Sequence, residues 1–315
     1  MLFTFILSFV ITVILMPIFI QWMHAKQFGQ EILAIGPSWH KQKSGTPTMG
    51  GLVFLFASLL ALTIHKLWNH YFSLPLVILM LSLVLFAGIG FVDDFLKIFK
   101  KQNEGLTSKQ KFLSQLMASA VLILAMYFSG LNFSLPLPFG LSTSSILVVF
   151  IFAVFWITGF SNAFNLTDGI DGLASGNGII SLTAYLIIFL KQGQMDLALF
   201  NVALIASLFG FLIFNMKTAK VFMGDAGSLA IGASLAVISL MTGNPWSLLV
   251  FGFIYVVETA SVMIQVTYFK KTGKRIFKMT PIHHHFEMEG WSEWKIDFVL
   301  WGIAAALSVI GFFIF

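Results

Sequence analysis

Cysteine is absent from the 315 residues. No disulfide framework and no thiolate metal site can exist, and zinc loses its usual sulfur ligands. Charge is scarce too: 10% of residues are Asp, Glu, Lys or Arg, against 58% hydrophobic residues that include 36 Phe. Soluble domains carry roughly 25% charged residues, so this composition belongs to an integral membrane protein. Strict apolar–polar alternation is also missing. Continuous runs such as Leu76–Phe86 exclude transmembrane β-strands and leave helices. The first span has no basic leader and no A-x-A cleavage site, so it is expected to be retained. No soluble module interrupts the apolar runs, and residues 1–315 are expected to form one polytopic membrane domain.

A helical span needs about 20 apolar residues. Ten stretches qualify, near 2–22, 48–66, 75–92, 112–129, 144–161, 173–190, 197–214, 228–243, 248–268 and 297–315. If they alternate in direction, every Lys and Arg except Lys66 and Lys191 falls on one side. The positive-inside rule makes that side cytoplasmic and puts both termini outside. The formal charge of +5 follows from this distribution and is no nucleic-acid footprint. The expected fold is an all-α integral membrane protein of about ten transmembrane helices with its active site on the cytoplasmic face.

What the chain does have is a set of polar motifs in the cytoplasmic loops. The densest is Asn162-Ala-Phe-Asn165-Leu-Thr-Asp168-Gly-Ile-Asp171-Gly172. Acidic residues at the edge of a span are costly, which makes this loop a candidate holder of a metal, a phosphate or a polar substrate. The first cytoplasmic loop ends in Lys43-Ser-Gly-Thr-Pro-Thr48-Met-Gly50-Gly51. Thr48 can cap the second helix, and the two glycines let another backbone or a ligand approach its first turn. With Lys43 just upstream, the segment reads equally as a plain cap or as an anion site.

Asp93-Asp94 follows an unbroken apolar span. Adjacent helical residues point about 100° apart, so one carboxylate is expected to face a site and the other to pair with Lys97. Interfacial snorkelling accounts for Lys100, Lys101 and Lys111. Asn215 precedes Phe222-Met-Gly224-Asp225-Ala-Gly-Ser228, where acid and glycines open a small-residue helix and Phe222 can stack on a ring. Glu258 lies mid-span, at an insertion cost of about 2.5–3.5 kcal/mol. Protonation and pairing with a hydroxyl is its simpler reading, and lining a groove the other. His283-His284-His285 are poorly spaced for one metal, since His-x-x-x-His is what shares a helix face, and suit phosphate donation better.

Carboxylates without thiols suit a hard cation, and Mg²⁺ habitually sits on one or two carboxylates plus substrate phosphates. Lysines, imidazoles and helix N-termini complement the remaining phosphate charge. This is the chemistry of phosphoryl transfer, in which positioning and charge neutralisation do most of the work. A site at the membrane edge further suggests one water-soluble phosphorylated reactant and one lipid reactant.

Taken together, the five motifs, from Lys43-x-Gly-Thr-Pro-Thr48 through Asp93-Asp94, Asn165–Gly172 and Gly224–Ser228 to Pro281-Ile-His283-His284-His285-Phe-Glu, resemble those of the phospho-N-acetylmuramoyl-pentapeptide transferase (translocase I) family. This family lies within the polyprenyl-phosphate N-acetylhexosamine-1-phosphate transferase superfamily. The resemblance implies attack of undecaprenyl phosphate on UDP-N-acetylmuramoyl-pentapeptide, with Mg²⁺, at the bacterial cell membrane, by a homodimer. It implies catalytic roles for Asp93, Asp94, Asp225 and Lys109, with Mg²⁺ on Asp225 and Asp168. It further implies substrate contacts at Lys43, Thr48, Asn162, Asn165, Asp168, Asp171, Asn215, Phe222, His283, His284 and His285. A sister UDP-N-acetylglucosamine-1-phosphate transferase is the nearest alternative, and a secondary transporter is the alternative from another class.

Overall fold

The computed structural model describes residues 1–26, 45–68, 71–99, 105–131, 133–137 and 140–315. Lys43 lies outside the described residues, as do Lys100 and Lys101. The helices are α1 (Leu2–Ala25), α2 (Gly51–Trp68), α3 (Leu74–Phe99), α4 (Ser108–Phe128), α5 (Ile146–Thr167), α6 (Leu173–Lys191), α7 (Met195–Asn215), α8 (Gly224–Met241), α9 (Ser247–Phe251), α10 (Phe253–Thr272), α11 (Ile282–Met288) and α12 (Glu293–Ile314). The one two-stranded sheet among the described residues pairs β1 (Leu135–Pro136) antiparallel with β2 (Ser142–Thr143).

Nine of these helices are long and apolar enough to cross a membrane. The stretch expected at 248–268 is the difference. Gly252 separates α9 from α10, and α10 carries Glu258, Ser261 and Gln265 before ending in Lys270-Lys271. Helix ends shifted as well. The span expected to stop at residue 92 continues to Phe99, because Phe95, Leu96 and Ile98 extend the apolar surface and Lys97 compensates the acids one turn back. The next helix begins at Ser108, where Thr107 and Gln110 form a reciprocal capping box. Asp93, Asp94 and Lys111 are therefore helical residues, not loop residues.

α7 and α8 form the centre of the bundle: 78% of each apolar window is buried, against 22% for α1. In a lipid environment packing is driven by close contact, and small residues permit it. α8, Gly-Asp-Ala-Gly-Ser-Leu-Ala-Ile-Gly-Ala-Ser, packs against α3 and α5. The hydroxyls of Ser82 and Ser234 meet at 2.9 Å between α3 and α8. On α1, Thr4, Ser8, Thr12 and Met16 recur every fourth residue and are buried, and Ser8 donates to the Ala203 carbonyl of α7 at 2.8 Å. Lys66 at the end of α2 pairs with Asp196 at the start of α7.

The first turn of α8 is where the helices come closest. A Cβ on Gly51 would lie 2.4 Å from the Gly227 backbone, and one on Gly90 would lie 2.2 Å from the Asp225 carbonyl oxygen. Glycine is thus required at both positions by backbone approach. The segment before α2 is strapped to the segment before α8: Phe222 N–H donates to Pro47 O, Gly50 N–H to Phe222 O and Gly51 N–H to Met223 O, at 2.8, 2.9 and 2.9 Å.

Candidate active site

Four helix ends meet at this point. α3 contributes Asp93, Asp94 and Lys97, and α4 contributes Lys111 from its first turn. Asn165 comes from the end of α5, and Asp225 and Ser228 from the start of α8. The Asp225 Oδ2 accepts from Lys111 Nζ at 2.7 Å and from Lys97 Nζ at 3.0 Å. Its Oδ1 accepts from Asn165 Nδ2 at 2.8 Å, and the same amide reaches Ser228 Oγ at 2.7 Å. Asp93 pairs with Lys97 at 2.6 Å, stands 3.8 Å from Lys111, and accepts the Leu106 N–H at 2.9 Å. Asp94 accepts the Ala226 N–H at 3.2 Å, satisfying an orphan donor of the α8 N-terminus from a neighbouring helix.

The two adjacent aspartates converge, contrary to the expectation that only one would face the site. Asp93, Asp94 and Asp225 each present an oxygen within 4.8 Å of the others. Asp225 approaches both from α8, so their angular separation on α3 is spanned from outside the helix. Lys97 accordingly serves all three carboxylates, reaching Asp94 at 3.7 Å as well. These are hard oxygen donors with no sulfur among them, a set that fits Mg²⁺ or a similar cation. Asp168 is not part of this group.

Lys111, which snorkelling had accounted for, is the lysine that reaches the acids. Lys109 is exposed and makes no ion pair among the described residues. Spacing alone does not separate them: at the start of α4 they project in different directions, and the position of α8 decides which reaches the acids.

The Asn162–Gly172 stretch divides into braces and an open part. Asn162 exchanges hydrogen bonds with Gln115 of α4, at 2.7 and 3.3 Å. Asp171 is buried, accepts the Ala219 N–H at 2.9 Å, and its own N–H donates to Glu293. Asn215, also buried, accepts from Gly172 N–H and Ser175 Oγ and donates to Val221 O. Asp168 caps α5, and its carboxylate accepts no hydrogen bond among the described residues. Desolvation of this half-buried group, and after it the negative charges of Asp225, Asp94 and Asp171, push its carboxyl up to about 8.

Thr48 is buried beside Gly224, where a Cβ would lie 2.9 Å from Thr48 Oγ1 and 2.6 Å from Asp94 Oδ2. It docks the first loop onto α8. The Phe222 ring is half-buried. Of the histidines, His283 is fully buried, with Nδ1 3.0 Å from Glu258 Oε2. His284 Nδ1 lies 2.6 Å from Glu287, and His285 Nδ1 accepts the Lys278 N–H at 3.2 Å. Glu258 therefore pairs with an imidazole, not with a hydroxyl. The partner lies 25 residues away, beyond the reach of any local pattern.

Carboxylates and lysines gathered at the ends of apolar helices make a candidate site for a cation and an anionic reactant. Residues 76–243 match glycosyl transferase family 4, and residues 43–55 match the phospho-N-acetylmuramoyl-pentapeptide-transferase signature 1. The phospho-N-acetylmuramoyl-pentapeptide-transferase of Limosilactobacillus reuteri (strain DSM 20016) is 51% identical over 314 residues, covering 98% of this chain and 95% of the relative. That of Enterococcus hirae is 50% identical over 309 residues, covering 96% and 94%. That of Listeria innocua serovar 6a is 48% identical over 309 residues, covering 98% and 95%. The chain belongs to the phospho-N-acetylmuramoyl-pentapeptide-transferase family, as a multi-pass protein of the bacterial membrane.

Proposed function

We propose that the chain transfers phospho-N-acetylmuramoyl-pentapeptide from UDP-N-acetylmuramoyl-pentapeptide to undecaprenyl phosphate. A phosphate oxygen of the lipid bonds to the sugar-linked phosphorus, the diphosphate bridge breaks, and UMP leaves with the bridging oxygen. The product is undecaprenyl-diphospho-N-acetylmuramoyl-pentapeptide, and no net proton is consumed. The single observation that carries this reading is the identity of about half the residues, over almost the whole chain, to transferases of that name.

The site's chemistry supports it. Asp93, Asp94 and Asp225 would hold Mg²⁺, which when bound neutralises phosphate charge and polarises the bridge. Lys97 and Lys111 supply the fixed positive charge toward the two anionic reactants. Asp168 and Phe222 are assigned to the nucleotide, Asp168 as the open acid of its loop and Phe222 as the stacking ring. A lipid phosphate has a second pKa of about 6, as a phosphoserine does, so at neutral pH it is largely dianionic. Asp93 therefore contributes little by removing a proton and more by orienting the cations it pairs with. The lysine distribution supports a cytoplasmic site with both termini outside, and α9 with α10 supplies the tenth crossing. A homodimer is part of the same reading.

UMP release decides the matter. It should require Mg²⁺ and polyprenyl phosphate, and should occur with UDP-N-acetylmuramoyl-pentapeptide and not with UDP-N-acetylglucosamine. Release from the second sugar alone would move the chain to the sister activity. No release from either would favour a transporter.

A further inference from the structure

Glu258 and His283 form a buried pair that the transfer chemistry leaves without a task. Both are fully buried, Glu258 in α10 and His283 in the first turn of α11. Two groups of His283 face one oxygen: Nδ1 lies 3.0 Å from Glu258 Oε2, and the backbone N–H donates to that oxygen at 3.4 Å. With Glu258 Oε2 facing both, the ring is held through Nδ1, and Nε2 is turned away from the pair. Nε2 makes no hydrogen bond among the described residues. It abuts Gly169, where a Cβ would lie 2.2 Å from Nε2 and 2.7 Å from Cε1. Gly169 directly follows Asp168, the open acid of the motif loop, and Asp171 ties that loop down two residues further on.

We propose that His283 is a positioning residue: locked by Glu258, its ring is the stop against which Gly169 rests, and it thereby sets Asp168 for the nucleotide sugar. Of the three consecutive histidines, this one touches no substrate. The ring has no exposed surface, Nδ1 is engaged by Glu258, and Nε2 lies where a side chain on Gly169 would begin. The glycine at 169 follows from the same contact, since any side chain there would drive the ring off Glu258 or the loop off the ring.

This inference rests on the transferase reading, and the test separates the two. Full-length protein is compared as wild type, Glu258→Gln, Glu258→Ala, Gly169→Ala and the Glu258→Ala/Gly169→Ala double variant, with UMP release measured against each substrate. Gln keeps an oxygen that accepts both N–H groups, so Glu258→Gln should stay within about threefold of wild type. Glu258→Ala should raise KM for the nucleotide sugar about tenfold or more and leave KM for polyprenyl phosphate within about twofold. Gly169→Ala should reproduce that pattern, and the double variant should lose less than about threefold beyond the worse single one. Equal rises in both KM values, fully additive losses, or a Gln variant as poor as the Ala variant would each overturn the proposal. If the wild type releases no UMP, the transferase reading fails and thermal unfolding decides the positioning contact. A Tm lowered in Glu258→Ala and Gly169→Ala but kept in Glu258→Gln upholds it, and equal Tm values overturn it.

Discussion

Lys111→Met should cost the site one of the two ammonium groups that face its three carboxylates. The ammonium lies 2.7 Å from Asp225 Oδ2 and 3.8 Å from Asp93 Oδ2, with 19% of its side chain exposed. At an effective dielectric constant of about 20, unit charges at the shorter distance attract by about 6 kcal/mol. Desolvation offsets much of this, and deleting one partner of a buried pair costs about 3–5 kcal/mol in measured cases. Lys97 stays 3.0 Å from the same oxygen and shares the burden, which places the loss at the low end. About 3 kcal/mol in transition-state stabilisation is roughly a 100-fold fall in kcat/KM.

The same substitution should act on metal affinity with the opposite sign. Lys111 occupies an oxygen that a divalent cation would use, so its removal should lower the Mg²⁺ concentration giving half-maximal rate. Lys109→Met, at an exposed residue with no ion pair among the described residues, should stay within about threefold of wild type and leave the Mg²⁺ requirement unchanged. The assay is UMP release over a Mg²⁺ titration. Equal losses for the two lysines, or a raised Mg²⁺ requirement in Lys111→Met, would refute this account.

Three other outcomes follow from the same geometry. Asp225→Asn should lose activity more completely than Asp93→Asn when lipid phosphate is supplied at high pH, and equal, pH-independent losses would contradict the orienting role given to Asp93. Asp168 ionises near 8 in the folded chain and near its ordinary 3.8 when unfolded. Between these values the folded state alone keeps the proton, so stability falls as pH rises through the window and levels off above about 8. In Mg²⁺-free buffer the Tm of wild type should therefore drop between pH 5.5 and 8.5 by more than that of Asp168→Asn, and parallel curves would exclude Asp168 as the source. Gly90→Ala would set a Cβ 2.2 Å from backbone that cannot yield and should cost about 1–3 kcal/mol with loss of activity, while Gly88→Ala, with nothing within 4 Å, should be neutral or slightly stabilising by circular dichroism melts.

How much of this was legible in the chain depended on the range of the interaction. Apolar runs located nine of the ten expected spans, because a bilayer demands about 20 apolar residues whatever the partners are. The tenth differs because Gly252 divides it into α9 and α10, and Glu258, Gln265 and two terminal lysines make α10 less apolar than the other nine. Asp93, Asp94, Asn165 and Asp225 are locally conspicuous, as acids and amides beside apolar spans, and the structure brings all four together. The local pattern pairs Lys97 with its own helix and leaves Lys111 an interfacial lysine, because the carboxylate that both reach, Asp225, comes from another helix. Asp171, Asn162 and Asn215 carry the same local signature as Asp168, yet their side chains are hydrogen-bonded within the fold, to Ala219, Gln115 and Val221. Only Asp168 keeps a carboxylate with no hydrogen bond among the described residues, and that distinction is tertiary.

The placement of the acids explains why the site contains lysines at all. Asp93 and Asp94 lie in the C-terminal part of α3, where the helix dipole disfavours negative charge, while Asp225 and the Ala226 N–H lie at the start of α8, where it is favoured. Lys97, in the last turn of α3, and Lys111, from α4, make up the difference. Three carboxylates against two ammonium groups leave a formal charge of −1, which attracts a cation and repels a diphosphate. A bound divalent cation would reverse that to +1, so the same side chains would favour the metal first and the anionic reactant second. Removing Lys111 lowers both values by one, to −2 without the cation and 0 with it. That is the physical origin of the opposed signs expected for Lys111→Met: tighter binding of the metal, weaker hold on the phosphates.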